Sequence, residues 1–299
     1  MSDHTSGHGG MSATGSDGRG VDILPASSEA RDHYTLAPLP WLAGCSDVGQ
    51  RHETNQDALA LAGRGRVADQ VAVMVVSDGV STSLGSERSS SIAAEVVSTT
   101  LVAMLRSLPA SPEQIQATLT DSFLAANDAV MSSSGNELLP GSCTLVAAVV
   151  ADGLVSVGNV GDCRAYWIGD DQEVRLLSVD DSVAQARMEL GMSREEAEHG
   201  FQAHAITRWI GPDSSDVTPR MVQHRPSGSG WLVVCSDGLW NYASEPELMR
   251  PLVQEVAARA DGDAAQAVEL LVRWANEQGG RDNITVALAR VEQVLATDG

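Results

Sequence analysis

The sequence predicts an α/β protein of the α+β type, a layered sandwich in which antiparallel sheets pack together and helix pairs cover their outer faces. Three observations predict it. Apolar runs of strand length come in groups, and consecutive helix pairs with no strand between them separate the groups, unlike a βαβ alternation. Residues 144–150, the turn Ala151-Asp152-Gly153 and residues 154–160 read as an antiparallel hairpin. The 299 residues, 43% of them apolar, are enough for a sizeable core.

Taken in order, residues 1–37 are rich in Gly, Ser, Asp and His with almost no apolar periodicity. Ordering such a stretch would not repay its entropy, so a disordered tail is expected there, and His4 and His8 are too few and too loosely placed for a metal tract. Strand-like segments follow at 41–45, 58–62 and 71–76. Two amphipathic helices come next, one at about 87–108 and one opened by Ser111 and Pro112, with Glu113 in its first turn, that runs to about 131. The hairpin strands are joined by segments at 164–168 and 174–177. A polar helical stretch at 181–199 precedes strands near 217–223 and 231–235, helices at about 245–259 and 263–277, and a last strand at 284–289. This organisation sets a folded domain at 38–292 between the tail and a short C-terminal tail, 293–299. No repeat of fixed period is present, although a helix pair after each Ser-Asp-Gly gives a rough two-fold resemblance.

The formal net charge of −21 argues against a nucleic-acid or anionic-membrane partner, because phosphate-rich surfaces reward Lys and Arg and repel carboxylates. An anionic substrate would need local cations to approach. Cys45, Cys143, Cys163 and Cys235 are widely spaced, form no CxxC pair and sit beside strand-like residues, so they read as buried thiols rather than zinc ligands or disulfides. No run reaches the ~18 apolar residues of a membrane span, and the N-terminus lacks the basic-then-apolar order of a signal peptide. A reducing cytoplasmic location is the expectation.

Two apolar runs end alike, residues 71–76 in Ser77-Asp78-Gly79 and residues 231–235 in Ser236-Asp237-Gly238. An Asp at a strand end has its backbone held by the sheet and its carboxylate free, while Gly lets the chain turn and exposes a carbonyl. Asp57, after Asn55 and Gln56, and Asp282, in Gly279-Gly280-Arg281-Asp282-Asn283, lie in similar settings. Each alone makes an ordinary turn. Together they suit hard divalent cations, which prefer oxygen ligands, and the chain offers no His or Cys spacing suited to zinc. Four converging carboxylates would repel one another without metal, and two divalent ions would cancel their charge. Two ions about 3.5–4 Å apart can also activate a shared water and clamp a phosphoryl group.

The run from Ser46 through Asp57, SDG at 77, VGNVGDCRAY at 157–166, CSDGLW at 235–240 and GGRDNITV at 279–286 resembles the PP2C-type metal-dependent protein serine/threonine phosphatases (the PPM family), in their bacterial form. The resemblance covers about residues 40–291, and five motifs in the right order are highly specific. It implies a four-layer α-β-β-α sandwich with two central antiparallel sheets and a binuclear magnesium or manganese centre at their edge. By this resemblance Asp78 bridges the two ions and the Gly79 carbonyl binds one, Asp237 and Asp282 hold the other, Asp57 supports the centre, and Asp162 is the ligand of a weaker third metal site. Gln56 stands where many members have Glu. The usual phosphate-binding Arg falls on His52, with Arg51 next door; a one-residue shift favours Arg51 for the phosphate, and protonated His52 is the alternative. Val80 stands where some members carry a His that protonates the leaving group, which leaves a metal-bound water as the acid.

The implied activity is hydrolysis of phosphoserine or phosphothreonine in proteins by in-line attack of a metal-bridging hydroxide, without a covalent phosphoenzyme. Implied partners are phosphorylated proteins and a cognate Ser/Thr kinase pathway, with neither nucleic acid nor membrane. Two alternatives accompany this reading: a dedicated phosphatase of an anti-sigma-factor antagonist, and a pseudophosphatase acting as a binding module. Residues 181–211 correspond to the variable flap beside the site. Its Met188, Met192, Glu195, Glu196, His199, His204 and Arg208 read mainly as a solvated amphipathic segment with a core-facing Met edge.

Overall fold

Residues 71–76 are all apolar and four of them are valine, so a strand made of them has no polar face and must bury both sides. The computed structural model, which describes residues 22–25, 31–66, 69–106, 109–133 and 140–293, places them so. Val71, Val73 and Val75 face one apolar cluster, and Ala72, Met74 and Val76 face another, as the two-residue period of a strand requires. Each Val or Met side chain so withdrawn from water contributes about 1.5–3 kcal/mol.

In chain order the elements are β1 (Asp22–Pro25), β2 (His33–Leu39), β3 (Leu42–Asp47), β4 (Ala58–Arg64), β5 (Val71–Ser77), α1 (Ser86–Leu105), α2 (Pro112–Ser132), β6 (Leu145–Ala151), β7 (Leu154–Val160), β8 (Arg164–Gly169), β9 (Val174–Leu176), α3 (Val183–Glu189), α4 (Arg194–Glu198), β10 (Arg220–His224), β11 (Gly230–Cys235), α5 (Asp237–Trp240), α6 (Pro246–Arg259), α7 (Ala264–Glu277) and β12 (Ile284–Val291). One six-stranded sheet has the order β1-β4-β5-β6-β7-β10 and the other β2-β3-β12-β11-β8-β9. All the pairings are antiparallel. Helices α1 and α2 cover the outer face of the first sheet, and α6 and α7 that of the second. A third cluster, with Leu59, Met74, Trp167 and Leu232, fills the space between the sheets. This is the expected four-layer α-β-β-α sandwich. The Ser111 capping box opens α2, its hydroxyl accepting from Gln114 N–H while Gln114 returns a bond to the Ser111 N–H.

The structure corrects the expected tail. Residues 1–21 and 26–30 lie outside the described residues, but 22–25 pair with β4 and 33–39 pair with β3. Strand β2 alternates: Tyr34 and Leu36 pack on the cluster between the sheets, while His33 and Thr35 find polar partners. An alternation that runs only from His33 to Leu36 before Ala37 and Pro38 is a weak signal by itself, and the pairing with β3 makes the segment a strand. At the other end Gln293 is bonded to Ser229 and Gly153, and 294–299 lie outside the described residues. The polar stretch at 181–199 is two short helices broken at Gly191, whose φ of 95° stops α3. The strand expected near 217–223 begins only at Arg220, and α5 after β11 was not anticipated.

Register assembles one rim. Ala58 pairs with Ser77, so the start of β4 lies beside the end of β5. Cys235 pairs with both Val286 and Arg164, which sets the end of β11 between the starts of β12 and β8. Asp57, Asp78, Asp162, Asp237 and Asp282 each lie at one of these strand ends, so both sheets present them at the same edge.

Candidate metal centre

The rim holds more negative charge than it can balance alone. Asp57 is fully buried; its Oδ2 accepts from Ser236 Oγ at 2.8 Å, and burial pushes its pKa up to about 6, with Asp282 adding to the rise and the Ser236 bond opposing it. Asp78 is pushed well above the carboxylate range by burial, then by the charges of Asp57, Asp237, Asp162 and Asp282. Asp237 is raised in the same way, by burial and then by Asp162, Asp282 and Asp57. Burial takes Asp162 to about 7, the charge of Asp180 adds to it, and Arg164 works against it. Asp282 is the open member of the set, its side chain 43% exposed and its Oδ1 3.1 Å from His52 Nε2.

Among the described residues Asp57 Oδ1 and Asp237 Oδ1 are buried without a hydrogen-bond partner. An unpaired carboxylate oxygen in the interior is costly unless something cationic sits against it. Hard divalent ions fit the all-oxygen donor set.

Local sequence explains the placement. A Cβ on Gly79 would lie 2.7 Å from the Gln56 carbonyl, and one on Gly238 only 2.0 Å from the Asn283 carbonyl. Only glycine therefore lets the two strand-end turns pass so close to the loops carrying Asp57 and Asp282. Three positioning residues escaped the sequence reading. Asn283 Oδ1 accepts from Gln56 N–H at 2.8 Å, while its Nδ2 donates to the Val48 and Thr54 carbonyls at 2.9 and 3.2 Å, fixing the loop from residue 48 to 57. Ser236 donates to Asp57 and accepts from Thr285 N–H at 3.0 Å. Asn55 spans the Arg31 carbonyl at 2.8 Å and Ser46 Oγ at 2.9 Å. The small polar residues flanking each Asp in the motifs were the available signal.

The two phosphate candidates are placed differently. His52 is half-buried against Asp282, whereas Arg51 is exposed and has neither a side-chain hydrogen bond nor an ion pair among the described residues. Below the rim, Arg164 binds Asp180 at 2.7 Å, donates to Ser244 Oγ at 2.8 Å and lies 3.6 Å over the Trp240 ring. Asp181 takes Arg208 and Arg220 at 3.2 and 2.8 Å. These two carboxylates are thus neutralised by guanidinium and anchor the base of the flap. Within the flap Met188 packs on Ala184, Ala197 and Ala203, and His199 Nδ1 bonds the Glu195 carbonyl at 2.8 Å. Glu196 closes a capping box with Ser193, and His204 tilts against Trp240 at 5.9 Å. A cleft of about 740 Å³ separates the loop after Gly79 from the end of the flap, lined by Val80, Leu84, Ser142 and Trp209 among others.

The family model described as protein phosphatase 2C matches residues 48–274. The chain belongs to the protein phosphatase 2C family. Among relatives of this phosphatase, the serine/threonine phosphatase stp of Listeria innocua is 29% identical over 237 residues, covering 77% of the chain and 88% of the relative. Protein phosphatase PhpP of Streptococcus pneumoniae is 29% identical over 255 residues, covering 83% and 96%. The solved serine/threonine phosphatase of S. agalactiae superposes with a TM-score of 0.68 at 26% identity, covering 87% of this phosphatase and all of that chain. The catalytic domain of the serine/threonine protein phosphatase PstP, solved with 2 manganese ions, shares the fold with a TM-score of 0.62 at 22% identity, covering 84% and 98%.

Proposed function

We propose that this phosphatase hydrolyses phosphoserine and phosphothreonine in proteins with two divalent ions, magnesium or manganese, held by Asp57, Asp78, the Gly79 carbonyl, Asp237 and Asp282, with Asp162 beside a weaker third position. The observation that carries the proposal is the pair of buried, partnerless oxygens, Asp57 Oδ1 and Asp237 Oδ1, in a rim of five aspartates where burial and then neighbouring carboxylates raise Asp57, Asp78, Asp162 and Asp237. The manganese found in the PstP domain supports the choice of ion. When bound, the ions supply Lewis-acid polarisation of the phosphoryl group and lower the pKa of water to near neutrality.

The chain's own residues do the rest. Ser236 and Asn283 fix the Asp57 carboxylate and its loop, so the oxygens are preorganised before a cation arrives. His52, whose Nε2 lies 3.1 Å from Asp282 Oδ1, sits at the open side of the rim, where its ring offers a hydrogen-bond donor to a phosphate oxygen. Arg51, with no side-chain partner among the described residues, is a cation and meets the phosphate as it enters an otherwise acidic surface. The cleft beside Val80 receives the polypeptide around the phosphorylated residue.

Retention of all the rim aspartates counts against a binding module without turnover. Relatives named as serine/threonine phosphatases count against a single dedicated anti-sigma-factor antagonist. A cognate Ser/Thr kinase and a cytoplasmic location complete the reading. Among the described residues no helix is long and apolar enough to cross a membrane. The test is manganese-dependent hydrolysis of an aryl phosphate by the purified chain. Asp237→Asn is expected to abolish it, and equal turnover in the variant, or none in the parent, overturns the assignment.

A further inference from the structure

A second set of ligand groups lies away from the aspartate rim, on the outer face of the other sheet. His33 pairs in register with Asp47, and Thr35 with Cys45, so the alternation of β2 and β3 puts all four side chains on one face. That face packs under α7, which supplies Glu269 and Asn276. His33 Nε2 is 3.1 Å from Glu269 Oε2 and 3.9 Å from Cys45 Sγ. Of the His, Cys, Asp and Glu side chains among the described residues, this trio alone brings three ligand atoms within 4.8 Å of one another.

The geometry points to a binding site for a thiophilic divalent cation of the zinc class, held by Cys45 Sγ, His33 Nε2 and a Glu269 carboxylate oxygen. Bond lengths of about 2.3 Å to sulfur and 2.0–2.1 Å to nitrogen in a tetrahedral site separate S and N by about 3.6 Å, and N and O by about 3.3 Å. The observed 3.9 and 3.1 Å need only small side-chain rotations to match. Donor chemistry separates this site from the rim: thiolate with imidazole selects zinc, cobalt or cadmium over magnesium and calcium.

The arrangement around the imidazole is that of a metal-bound histidine. Nδ1 bonds Asp47 Oδ2 at 2.7 Å, which fixes the ring and leaves Nε2 to the ion. Asp47 is itself held, its Oδ1 accepting from Asn276 Nδ2 at 2.9 Å and from Gly49 N–H at 2.8 Å. The Thr35 hydroxyl donates to the same Glu269 carboxylate and aligns it. Cys45 is fully buried, while His33 and Glu269 are 46% and 37% exposed, so the ion has an entry path and a free position for water.

Binding is balanced in protons and charge. Burial pushes the Cys45 thiol up to about 12, so it is protonated before metal arrives. Burial also works against the His33 imidazolium, but Asp47 and Glu269 outweigh it and raise the pKa. One divalent cation displaces the thiol proton and the Nε2 proton, and the net charge of the cluster is unchanged. The thiolate formed inside is compensated by the cation against it, and affinity should rise with pH as the released protons leave.

The test is a cobalt(II) titration of the full, reduced, metal-stripped chain, followed by zinc competition. A thiolate-to-cobalt charge-transfer band, quenched by zinc, is expected. Cys45→Ser should abolish it, while His33→Gln at the strand edge should weaken cobalt binding and Asp47→Asn should do so about 10–100-fold. Asp237→Asn should leave the band in place, since the oxygen-only rim contributes no thiolate. Absence of the band in the parent chain overturns the proposal. A band that survives Cys45→Ser, or that ignores His33→Gln and Glu269→Gln alike, overturns it as well.

Discussion

Asp162 gives direct access to the charge stored at the rim. Burial first, and Asp180 second, push its carboxyl from 3.8 up to about 7, so in the metal-stripped chain the folded state holds this proton more tightly than the unfolded chain does. A raised folded pKa gives stability that is fully present below about pH 4 and lost as pH rises through about 7. At about 1.36 kcal/mol per pH unit, the loss from Asp162 alone is ~4 kcal/mol, a large share of the 5–15 kcal/mol typical of a whole domain. Asp57, raised to about 6, and Asp78 and Asp237, raised further, push the same way. Asp162→Asn removes the ionisation, and urea unfolding in chelator from about pH 4 to about pH 8 measures its effect. The variant should exceed the parent by up to ~4 kcal/mol at the alkaline end, and the gap should close at the acid end. Glu198, whose pKa is lowered, contributes the opposite slope, but it is common to both proteins and cancels in the difference. Saturating manganese should flatten the parent's slope. A gap independent of pH, or a stripped parent that gains stability between pH 5 and pH 8, would refute the account of the rim aspartates as carboxylates raised by burial and neighbouring charge.

Two further outcomes follow from the groups that position the aspartates. Ser236→Ala deletes the donor 2.8 Å from Asp57 Oδ2. It should weaken manganese activation about 10–100-fold in a metal titration of turnover, with little change in the rate at saturation. Gly238→Ala would set a Cβ 2.0 Å from the Asn283 carbonyl and force the turn that carries Asp237 away from the one that carries Asp282. Displacement of that order should lower turnover about 100-fold at saturating metal, read against an unchanged circular-dichroism spectrum.

Much of the fold was legible because each central strand carries its instruction locally. An apolar run such as residues 71–76 or 231–235 can satisfy its side chains only between two covered faces, and consecutive amphipathic helices can serve only as those covers. Strand β2 was not legible, because its polar residues are accounted for only once β3 and α7 lie beside them. The flap divided at Gly191 for a local reason, yet its anchoring, Arg208 and Arg220 on Asp181, is tertiary.

The aspartates of the rim were visible because a strand-end Asp followed by Gly is a local motif, and their order along the chain matched a known family. Their supports were not: Ser236 meets Asp57 across 179 residues, and Asn283 meets Gln56 across 227. The sequence likewise placed His52 and Arg51 side by side, and only the packed loop set His52 against Asp282. By itself, then, the sequence determined the layers, the oxygen-rich strand ends and the family, since periodicity and turn chemistry act over a few residues. Tertiary structure decided which side chains meet, and so turned His33, Cys45 and Glu269, isolated letters with no metal-ligand spacing and up to 236 residues apart, into one cluster. Ligand geometry is a property of positions in space, and only the folded sheet and the helix across it bring those positions together.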